Sequence, residues 1–287
     1  MSGWTSSAAE VLRVGSGWSI DSFDTGSRPG WDGDRDDAER HIAHHGERVS
    51  LLQEKLFAHG RTGGTRSVLL VLQGMDTSGK GGIVRHVIGQ VDPQGVAHRS
   101  FGVPTEEERN HHYLWRIRNA LPPAGKIGVF DRSHYEDVLI VRVHDLVPGD
   151  PWEARYAEIN AFEAEVAAAG TVIVKCALLI SPEEQYARLR ERLERPDKYW
   201  KFNPADIDER AHWNDYQDAY ESALLATSTD IAPWHAIPAD SKWYARLAIT
   251  ELLHDALESL HLGWPAADFN VAEQMQRLDE MGEAAPA

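Results

Sequence analysis

Residues 67–82 read SVLLVLQGMDTSGKGG, an apolar run followed by a turn rich in glycine. The run predicts a buried strand, because seven residues without a charge suit a strand that is covered on both faces. The turn fits the phosphate-loop pattern G-x-x-x-x-G-K at Gly74, Gly79 and Lys80. Glycines let successive backbone N–H groups face an anion, and the following helix adds partial positive charge. The alternative is a tight strand–helix connection that binds nothing.

Two carboxylates are candidates for a metal site beside this loop. Gly81 stands where the usual pattern has Ser or Thr to place a hydroxyl on magnesium. Asp76 offers a hard oxygen ligand inside the loop instead. A later apolar strand ends at Asp131, and parallel strands bring their carboxyl ends to one edge of a sheet. We therefore predict Mg²⁺, with Mn²⁺ as an alternative, at Asp76 and Asp131, and Lys80 on the transferred phosphoryl group.

The length and composition limit the classes of protein that this chain can belong to. A chain of 287 residues with 42% hydrophobic content suits one large α/β domain or two small domains, and we favour one domain with a mobile insert. The net charge of −16 argues against a nucleic-acid partner, so any polyanion site must be a local basic patch. Cys176 is the single cysteine, which excludes an internal disulfide and fits a cytoplasmic location. No stretch is apolar for long enough to predict a membrane partner.

Alternating strand and helix patterns predict the fold class. They indicate an α/β three-layer sandwich with a central parallel sheet and helices on both faces. Residues 1–36, rich in Ser, Gly and Asp, are expected to form an extended arm with little core of its own. Residues 37–265 form the predicted catalytic domain. The Ala-, Pro- and acid-rich residues 266–287 are expected to form a loosely ordered tail.

A helix with three histidines is predicted directly before the central strand. Apolar residues fall at helical spacing between residues 37 and 59, and His41, His44 and His45 lie on the same segment. The histidines allow a metal site, but no carboxylate or cysteine completes a ligand set at close spacing in the chain. We therefore favour a solvated helix face.

A basic run stands out in an otherwise acidic chain. Residues 188–201 carry six cations within fourteen positions. One interpretation is a solvated helix whose charges pair with Glu191, Glu194 and Asp197. We favour the other interpretation, a helical lid over phosphate groups at about residues 183–210.

Several long motifs occur together and in a fixed order. They read GMDTSGKGG, FGVPTEEE, LWRIRNALP, GVFDRSHYEDVLIVRVH, ISPEEQYARLRERLERPDKYWKFNPADI and PADSKWYAR. Across roughly residues 25–265 the chain resembles the polyphosphate kinase 2 family, most closely its single-domain subgroup that accepts nucleoside mono- and diphosphates. The resemblance implies a P-loop kinase-like fold with a lid and magnesium-dependent transfer between inorganic polyphosphate and a nucleotide. Many members of that subgroup have Asn where this chain has Asp131, so the acceptor preference stays open.

The resemblance also assigns roles to residues of this chain. The family itself has glycine at the position of Gly81, which removes the departure noted above. The implied catalytic residues are Asp76, Lys80, Asp131 and Arg132. The implied phosphate- and nucleotide-binding residues are Gly74, Thr77, Ser78, Gly79, Gly81, Gly82 and Arg116. The implied lid and polyphosphate contacts are Arg188, Arg192, Lys198, Lys201 and Lys242.

Three functional hypotheses remain at this stage. The leading one is a polyphosphate kinase whose partners are inorganic polyphosphate and purine nucleotides such as AMP, ADP, GMP and GDP. The second is an ATP-dependent nucleoside monophosphate kinase, because the loop, the fold and the lid are shared. The third is a binding regulator without turnover, and the presence of both Asp76 and Asp131 argues against it. By analogy with the family we expect a homodimer or a homotetramer.

Overall fold

A parallel sheet of five strands forms the centre of the protein. The computed structural model describes residues 3–147 and 152–282. Its strands are β1 (Ser67–Gln73), β2 (Val96–Ser100), β3 (Ile127–Asp131), β4 (Thr171–Leu179) and β5 (Trp234–Pro238). They lie in the order β2–β3–β1–β4–β5, and every neighbouring pair is parallel. The carboxyl ends of all five strands therefore share one edge of the sheet, where α/β folds bind ligands.

Helices connect these strands. Over the described residues the α-helices are α1 (Ala8–Val11), α2 (Arg35–Arg61), α3 (Lys80–His86), α4 (Glu106–Arg109), α5 (Leu114–Arg118), α6 (Ile140–Val143), α7 (Trp152–Ala168), α8 (Pro182–Glu194), α9 (Ala205–Arg210), α10 (Trp213–Thr227), α11 (Lys242–Glu258) and α12 (Val271–Met281). Short 3-10 helices are Ile88–Gln90, Pro93–Gly95, His134–Val138 and Pro196–Lys201. None of the helices in the described ranges is long and apolar enough to cross a membrane.

The two faces of the sheet bury two separate cores. In β1, Val68, Leu70 and Leu72 pack in the core that contains residues of α2, α3 and α11. The intervening Leu69 and Val71 pack in the core that contains residues of α7 and α10. This alternation follows from the period of two in a strand, and all seven residues of β1 are buried. The predicted α/β three-layer fold with a central parallel sheet is confirmed.

The N-terminal segment differs from the expected arm with little core. It contains little regular structure, but Leu12, Val14 and Trp31 are almost fully buried. The Val14 N–H donates to the Trp234 carbonyl at 2.8 Å, so the segment binds along β5. The few apolar residues were too widely spaced to predict this packing. Residues 1–2 of the predicted arm lie outside the described residues.

The C-terminal segment contains a helix where a loosely ordered tail was predicted. The Asn270 side chain accepts a hydrogen bond from the Glu273 N–H and caps α12. None of the described side chains of α12 is buried, and its apolar residues, among them Met275 and Leu278, are exposed. Residues 283–287 of the predicted tail lie outside the described residues.

A pair of substitutions tests the docking of the N-terminal segment. Leu12 is 3% exposed and Val11 is 37% exposed, although they are adjacent. We expect Leu12→Ala to lower the free energy of unfolding by about 2–5 kcal/mol, because it leaves a cavity in the core. Val11→Ala is the matched control and should change it by less than about 1 kcal/mol. Urea unfolding measures both, and equally small effects would mean that the segment is not docked on the domain.

Candidate active site

The loop after β1 and the end of β3 meet at the carboxyl edge of the sheet. Leu72 is the register partner of Asp131, and the Arg132 N–H donates to the Leu72 carbonyl at 3.0 Å. The phosphate loop, residues 74–82, begins two residues after Leu72. The parallel pairing of β1 with β3 therefore brings Asp131 and Arg132 beside the loop.

The loop needs glycine at its base. Gly74 has φ 154°, and a Cβ there would lie 2.5 Å from Ser78 Oγ and 2.6 Å from the Leu178 carbonyl oxygen. Any side chain at residue 74 would push the loop off β4. Thr77 has φ 66°, a left-handed conformation that is uncommon for a non-glycine residue and that clusters at functional sites.

The Lys80 ammonium points back into its own loop. Its Nζ donates to the carbonyl oxygens of Gly74 at 2.6 Å and Met75 at 3.3 Å. An ammonium group has three donors, so one remains for a ligand. Burial and the charge of Arg132 lower the pKa of Lys80, while the carboxylates of Asp76 and Asp131 oppose that shift. The charges of Asp76, Asp131 and Arg132, the other three predicted catalytic residues, therefore act on Lys80.

Arg132 joins the loop to the turn after β3. Its guanidinium NH2 donates to Asp76 Oδ1 at 2.8 Å, and its backbone has φ 63°. Burial opposes the charge on Arg132, but the carboxylates of Glu136 and Asp76 outweigh it and raise the pKa of Arg132. The guanidinium is therefore charged at every physiological pH.

A cavity of about 770 Å³ opens above the loop, and we call it the cationic cavity. Among the described residues, nine cations line it: Lys80, Arg85, Arg132, Arg188, Arg192, Lys198, Lys201, Lys242 and Arg246. The carboxylates that line it are Asp76, Asp131 and Glu191. The excess of positive charge, in a chain of net charge −16, marks a binding site for a polyanion.

Most of the predicted site residues meet in this cavity. Those that line it are Asp76, Thr77, Ser78, Gly79, Lys80, Gly81, Gly82, Asp131, Arg132, Arg188, Arg192, Lys198, Lys201 and Lys242. Gly74 lies at the base of the loop, where its carbonyl accepts from Lys80. Arg116 lies elsewhere, in a second cavity described below.

Arg188, predicted among the lid cations, lies under the phosphate loop. Its NH1 donates to the carbonyl oxygens of Thr77 and Ser78, and its NH2 donates to those of Ala239 and Asp240. Its Nε donates to Glu184 at 2.6 Å. All five guanidinium donors are thus engaged within the protein. Arg188 ties the loop to the end of β5 and has no donor left for a mobile lid contact.

The rest of the basic run divides between two faces. Arg192 faces the cationic cavity, where its NH1 donates to the Lys201 carbonyl at 2.9 Å and to Asp206 Oδ2 at 3.1 Å. Arg190 and Arg195 are exposed and form ion pairs with carboxylates of the run itself. The solvated, ion-paired face thus describes Arg190 and Arg195. The lid interpretation stays a prediction for the residues that face the cavity.

Two cations of the cavity were not among the predicted residues. Arg246 lies one helical turn after Lys242 in α11, and Arg85 lies in α3 directly after the loop. The four-residue spacing of Lys242 and Arg246 was a usable signal, because such residues share a helix face. For Arg85 the signal was only its place in the helix that the loop begins.

A second cavity of about 720 Å³ lies on the other side of Arg132. Its lining includes Tyr113, Arg116, Glu136 and Asp137, while Arg132 and Phe101 line both cavities. Arg116 is buried, donates to the Gly102 carbonyl at 2.9 Å, and lies 3.6 Å from Asp137 Oδ2. Arg132 therefore stands at the junction of two adjoining binding spaces.

Comparison with known proteins identifies the family. Residues 32–262 match the model of the family described as Polyphosphate kinase 2 (PPK2). The chain belongs to the polyphosphate kinase 2 family. It is 44% identical over 243 residues to the AMP/ADP-polyphosphate phosphotransferase of Meiothermus ruber, covering 85% of this chain and 90% of that protein.

Two further relatives support the family assignment. The chain is 44% identical to the ADP-polyphosphate phosphotransferase of Rhodopseudomonas palustris over 231 residues, which is 76% of this chain and 78% of that protein. The crystal structure of polyphosphate kinase 2 from Arthrobacter aurescens TC1 superposes with a TM-score of 0.94 at 52% identity. That match covers 97% of this chain and 98% of the other. The P-loop kinase-like fold implied by the resemblance is thereby confirmed.

A buried ion pair supports the active-site turn of this polyphosphate kinase 2 chain. Lys175, in the middle of β4, is fully buried, and its Nζ donates to Glu163 Oε2 at 2.6 Å. It also donates to Tyr135 Oη and the Thr227 carbonyl, both at 2.8 Å. The His134 ring contacts Glu163 Oε1 at 3.2 Å. His134 and Tyr135 lie two and three residues after Arg132, so the ion pair fixes the turn that follows β3 against the sheet.

We expect Lys175→Met to lower the free energy of unfolding by about 3–5 kcal/mol at pH 7, because it leaves the buried Glu163 carboxylate without the lysine charge that compensates it. Burial favours the neutral carboxyl, but in the wild type Lys175 and His134 lower the pKa of Glu163. Without the lysine, burial raises that pKa above its unfolded value. The penalty is then largest at neutral pH and shrinks as the pH falls toward roughly 4.

The double variant Lys175→Met, Glu163→Gln is the control. It has no carboxyl to protonate at this position, so its stability difference from wild type should lack that pH dependence. Urea unfolding between neutral and acidic pH measures both variants. A Lys175→Met penalty that stays constant with pH would show that the pair is not what stabilises the turn.

Proposed function

We propose that this chain transfers the terminal phosphoryl group of inorganic polyphosphate to a nucleoside mono- or diphosphate, and catalyses the reverse reaction. The observation that carries the proposal is the position of Arg132. It lines both the cationic cavity and the second cavity and contacts Asp76 of the phosphate loop. A donor in one cavity and an acceptor in the other would meet beside the same guanidinium.

The cationic cavity suits polyphosphate as the donor. Polyphosphate carries negative charge on every unit, and nine cations from several elements line the cavity, among them Lys80 of the loop, Arg192 of α8 and Lys242 of α11. The exposed Arg190 and Arg195 are neutralised by neighbouring carboxylates, so the unbalanced charge is concentrated in the cavity.

The second cavity suits the nucleotide. It combines an apolar wall with the Tyr113 ring, the buried Arg116 and the half-buried Glu136 and Asp137. Aromatic and apolar groups favour a base, and a few fixed polar groups orient a ligand. The names of relatives contain AMP, ADP or both. We propose purine mono- and diphosphates as the acceptors of this chain.

The loop and the end of β3 fit a magnesium ion. Asp76 and Asp131 both line the cationic cavity and offer hard oxygen ligands. Among the described residues, the buried hydroxyls of Thr77 and Ser78 have no hydrogen-bond partner, so they are available to phosphate oxygens. We propose that Asp76 and Asp131 hold Mg²⁺, with Mn²⁺ as an alternative ion. When bound, the ion would neutralise phosphate oxygens and make the terminal phosphorus more electrophilic.

The side chains around the reacting phosphorus then act by charge and position. The acceptor oxygen forms a bond to the terminal phosphorus while the bond to the leaving phosphate breaks, in line with it. Lys80 and Arg132 are placed to stabilise the negative charge on the transferred group. Arg188 holds the loop carbonyls of Thr77 and Ser78 and thereby positions the backbone N–H groups. No covalent enzyme intermediate is needed.

The assembly and location of the chain are proposed from weaker signals. We propose a homodimer or homotetramer, which the exposed apolar residues of α12 support, because such a stripe is typical of an interface. A cytoplasmic location stays a prediction from the single cysteine.

Product formation without ATP tests the proposed function. We expect the protein, with polyphosphate, Mg²⁺ and AMP or ADP, to form ADP or ATP that chromatography detects. Lys80→Ala and Asp131→Ala should each lower the rate by at least ~100-fold, because each removes a preorganised contact to the reacting group. Lys126→Ala is the matched control, since Lys126 is absent from the described lining of both cavities.

The same assay separates the ATP-dependent alternative. A nucleoside monophosphate kinase would convert AMP with ATP in the absence of polyphosphate and would ignore polyphosphate alone. Formation of ADP only in the presence of ATP would refute the proposed donor. Near-normal rates for Lys80→Ala or Asp131→Ala would refute the assigned site while leaving the reaction itself intact.

Two arginines on α8 test where polyphosphate binds. We expect Arg192→Ala to raise the KM for long polyphosphate about tenfold, through loss of roughly 1.4 kcal/mol of charge-assisted hydrogen bonding, with a smaller effect on the nucleotide KM. Arg190→Ala, on the exposed side of the same helix, is the matched control and should leave both KM values unchanged. Initial rates at varied polyphosphate concentration decide the matter. Identical KM values in the two variants would exclude Arg192 from the polyphosphate site.

A further inference from the structure

Histidines and a glutamate meet between α2 and α11, on the face of the sheet that these helices cover. His41 and His45 come from consecutive turns of α2, and Glu251 and His254 come from consecutive turns of α11. The carboxylate that the local sequence lacks is thus supplied 210 residues later in the chain. We call His41, His45, Glu251 and His254 the histidine cluster.

The ligand atoms of His41, His45 and Glu251 lie at distances that suit one small ion. His41 Nε2 lies 2.8 Å and His45 Nδ1 lies 3.5 Å from Glu251 Oε2, and the three ligand atoms are within 4.8 Å of one another. A zinc ion binds imidazole nitrogen and carboxylate oxygen at about 2.0–2.2 Å, which separates tetrahedral ligand atoms by roughly 3.3–3.5 Å. Small side-chain rotations therefore convert this arrangement into a coordination shell.

Two ring nitrogens of the cluster lack hydrogen bonds. Among residues 3–147 and 152–282, neither His45 Nδ1 nor His254 Nε2 has a hydrogen-bond partner, although both atoms are buried. His254 as a whole is 8% exposed, and its ring centroid lies 5.0 Å from that of His45. Buried polar atoms normally have partners, so two orphans in one cluster point to a ligand that accepts their lone pairs.

We propose that His41, His45 and Glu251 bind a divalent transition-metal ion of the zinc class, with His254 as the fourth ligand. Three imidazoles and one carboxylate match the ligand preference of Zn²⁺, whereas Mg²⁺ takes oxygen ligands. The ion therefore differs from the one proposed at Asp76 and Asp131.

The site is structural rather than catalytic. None of the cluster residues is among the described residues that line the cationic cavity or the second cavity. Four protein ligands leave no open position for a substrate. Bound metal would join α2 to α11, the helix that carries Lys242 and Arg246 into the cationic cavity.

Zinc titration of the full chain tests the proposal. The protein is first freed of metal with a chelator, dialysed, and titrated calorimetrically with ZnCl₂ in buffer that contains excess Mg²⁺. We expect one tight site in the wild type. His45→Gln and Glu251→Gln should each weaken binding by at least ~100-fold, since even loss of an outer partner of a zinc ligand costs 10–100-fold. His44→Gln is the matched control, because His44 is exposed on the same helix outside the ligand set, and it should bind like the wild type.

Two further measurements test the proposal even if a variant folds poorly. Cobalt added to the wild type should give the intense visible bands of a four-coordinate site, and zinc should raise the Tm of the wild type and of His44→Gln but not of His45→Gln. A wild type without tight zinc binding, a weak six-coordinate cobalt spectrum, or unchanged binding in His45→Gln and Glu251→Gln would each overturn the proposal. No readout uses turnover, so the result is independent of the proposed reaction.

Discussion

The buried ammonium group of Lys175 holds together three elements on one face of the sheet. It lies in the middle of β4 with no exposure to solvent, and a buried charge is tolerated only when its partners are all in place. Those partners come from three separate elements: Glu163 in α7, Tyr135 in the turn after β3, and the Thr227 carbonyl at the end of α10. The turn that follows Asp131 therefore takes its position from a charge in the core rather than from its own sequence.

Charge is also distributed unevenly over the whole protein. The chain has a net charge of −16, yet the cationic cavity has many more cations than carboxylates. The exposed side of the basic run is neutralised locally, through pairs such as Arg190 with Glu194, and on the inward side Arg192 pairs with Asp206 and Lys198 with Glu191. The positive excess of the cavity therefore comes from its nine cations together rather than from the basic run alone. The positive potential is thereby concentrated in one cavity of a chain whose overall charge is negative.

How far the sequence could predict the structure depended on the range of the interactions. The phosphate loop and the position of Asp131 beside it could be predicted from the sequence. Local glycine spacing indicates the loop, the strand pattern places Asp131 at a strand end, and parallel pairing brings the two together. The position of Arg188 could not be predicted. The sequence shows its charge, but not the four carbonyl groups that accept its hydrogen bonds, which come from residues 77, 78, 239 and 240. The carboxylate beside His41 was missed for the same reason: it is close in space and distant in the chain. The roles of the site residues themselves stay predictions.

The shared position of Arg132 has a thermodynamic consequence. Its guanidinium forms part of the wall of both cavities. A ligand that draws this group toward one cavity withdraws it from the other, whereas a pair of ligands that meet at it share its charge. Occupancy of the two cavities is therefore linked, and the linkage is reciprocal: the factor by which the first ligand alters the affinity of the second equals the factor by which the second alters that of the first.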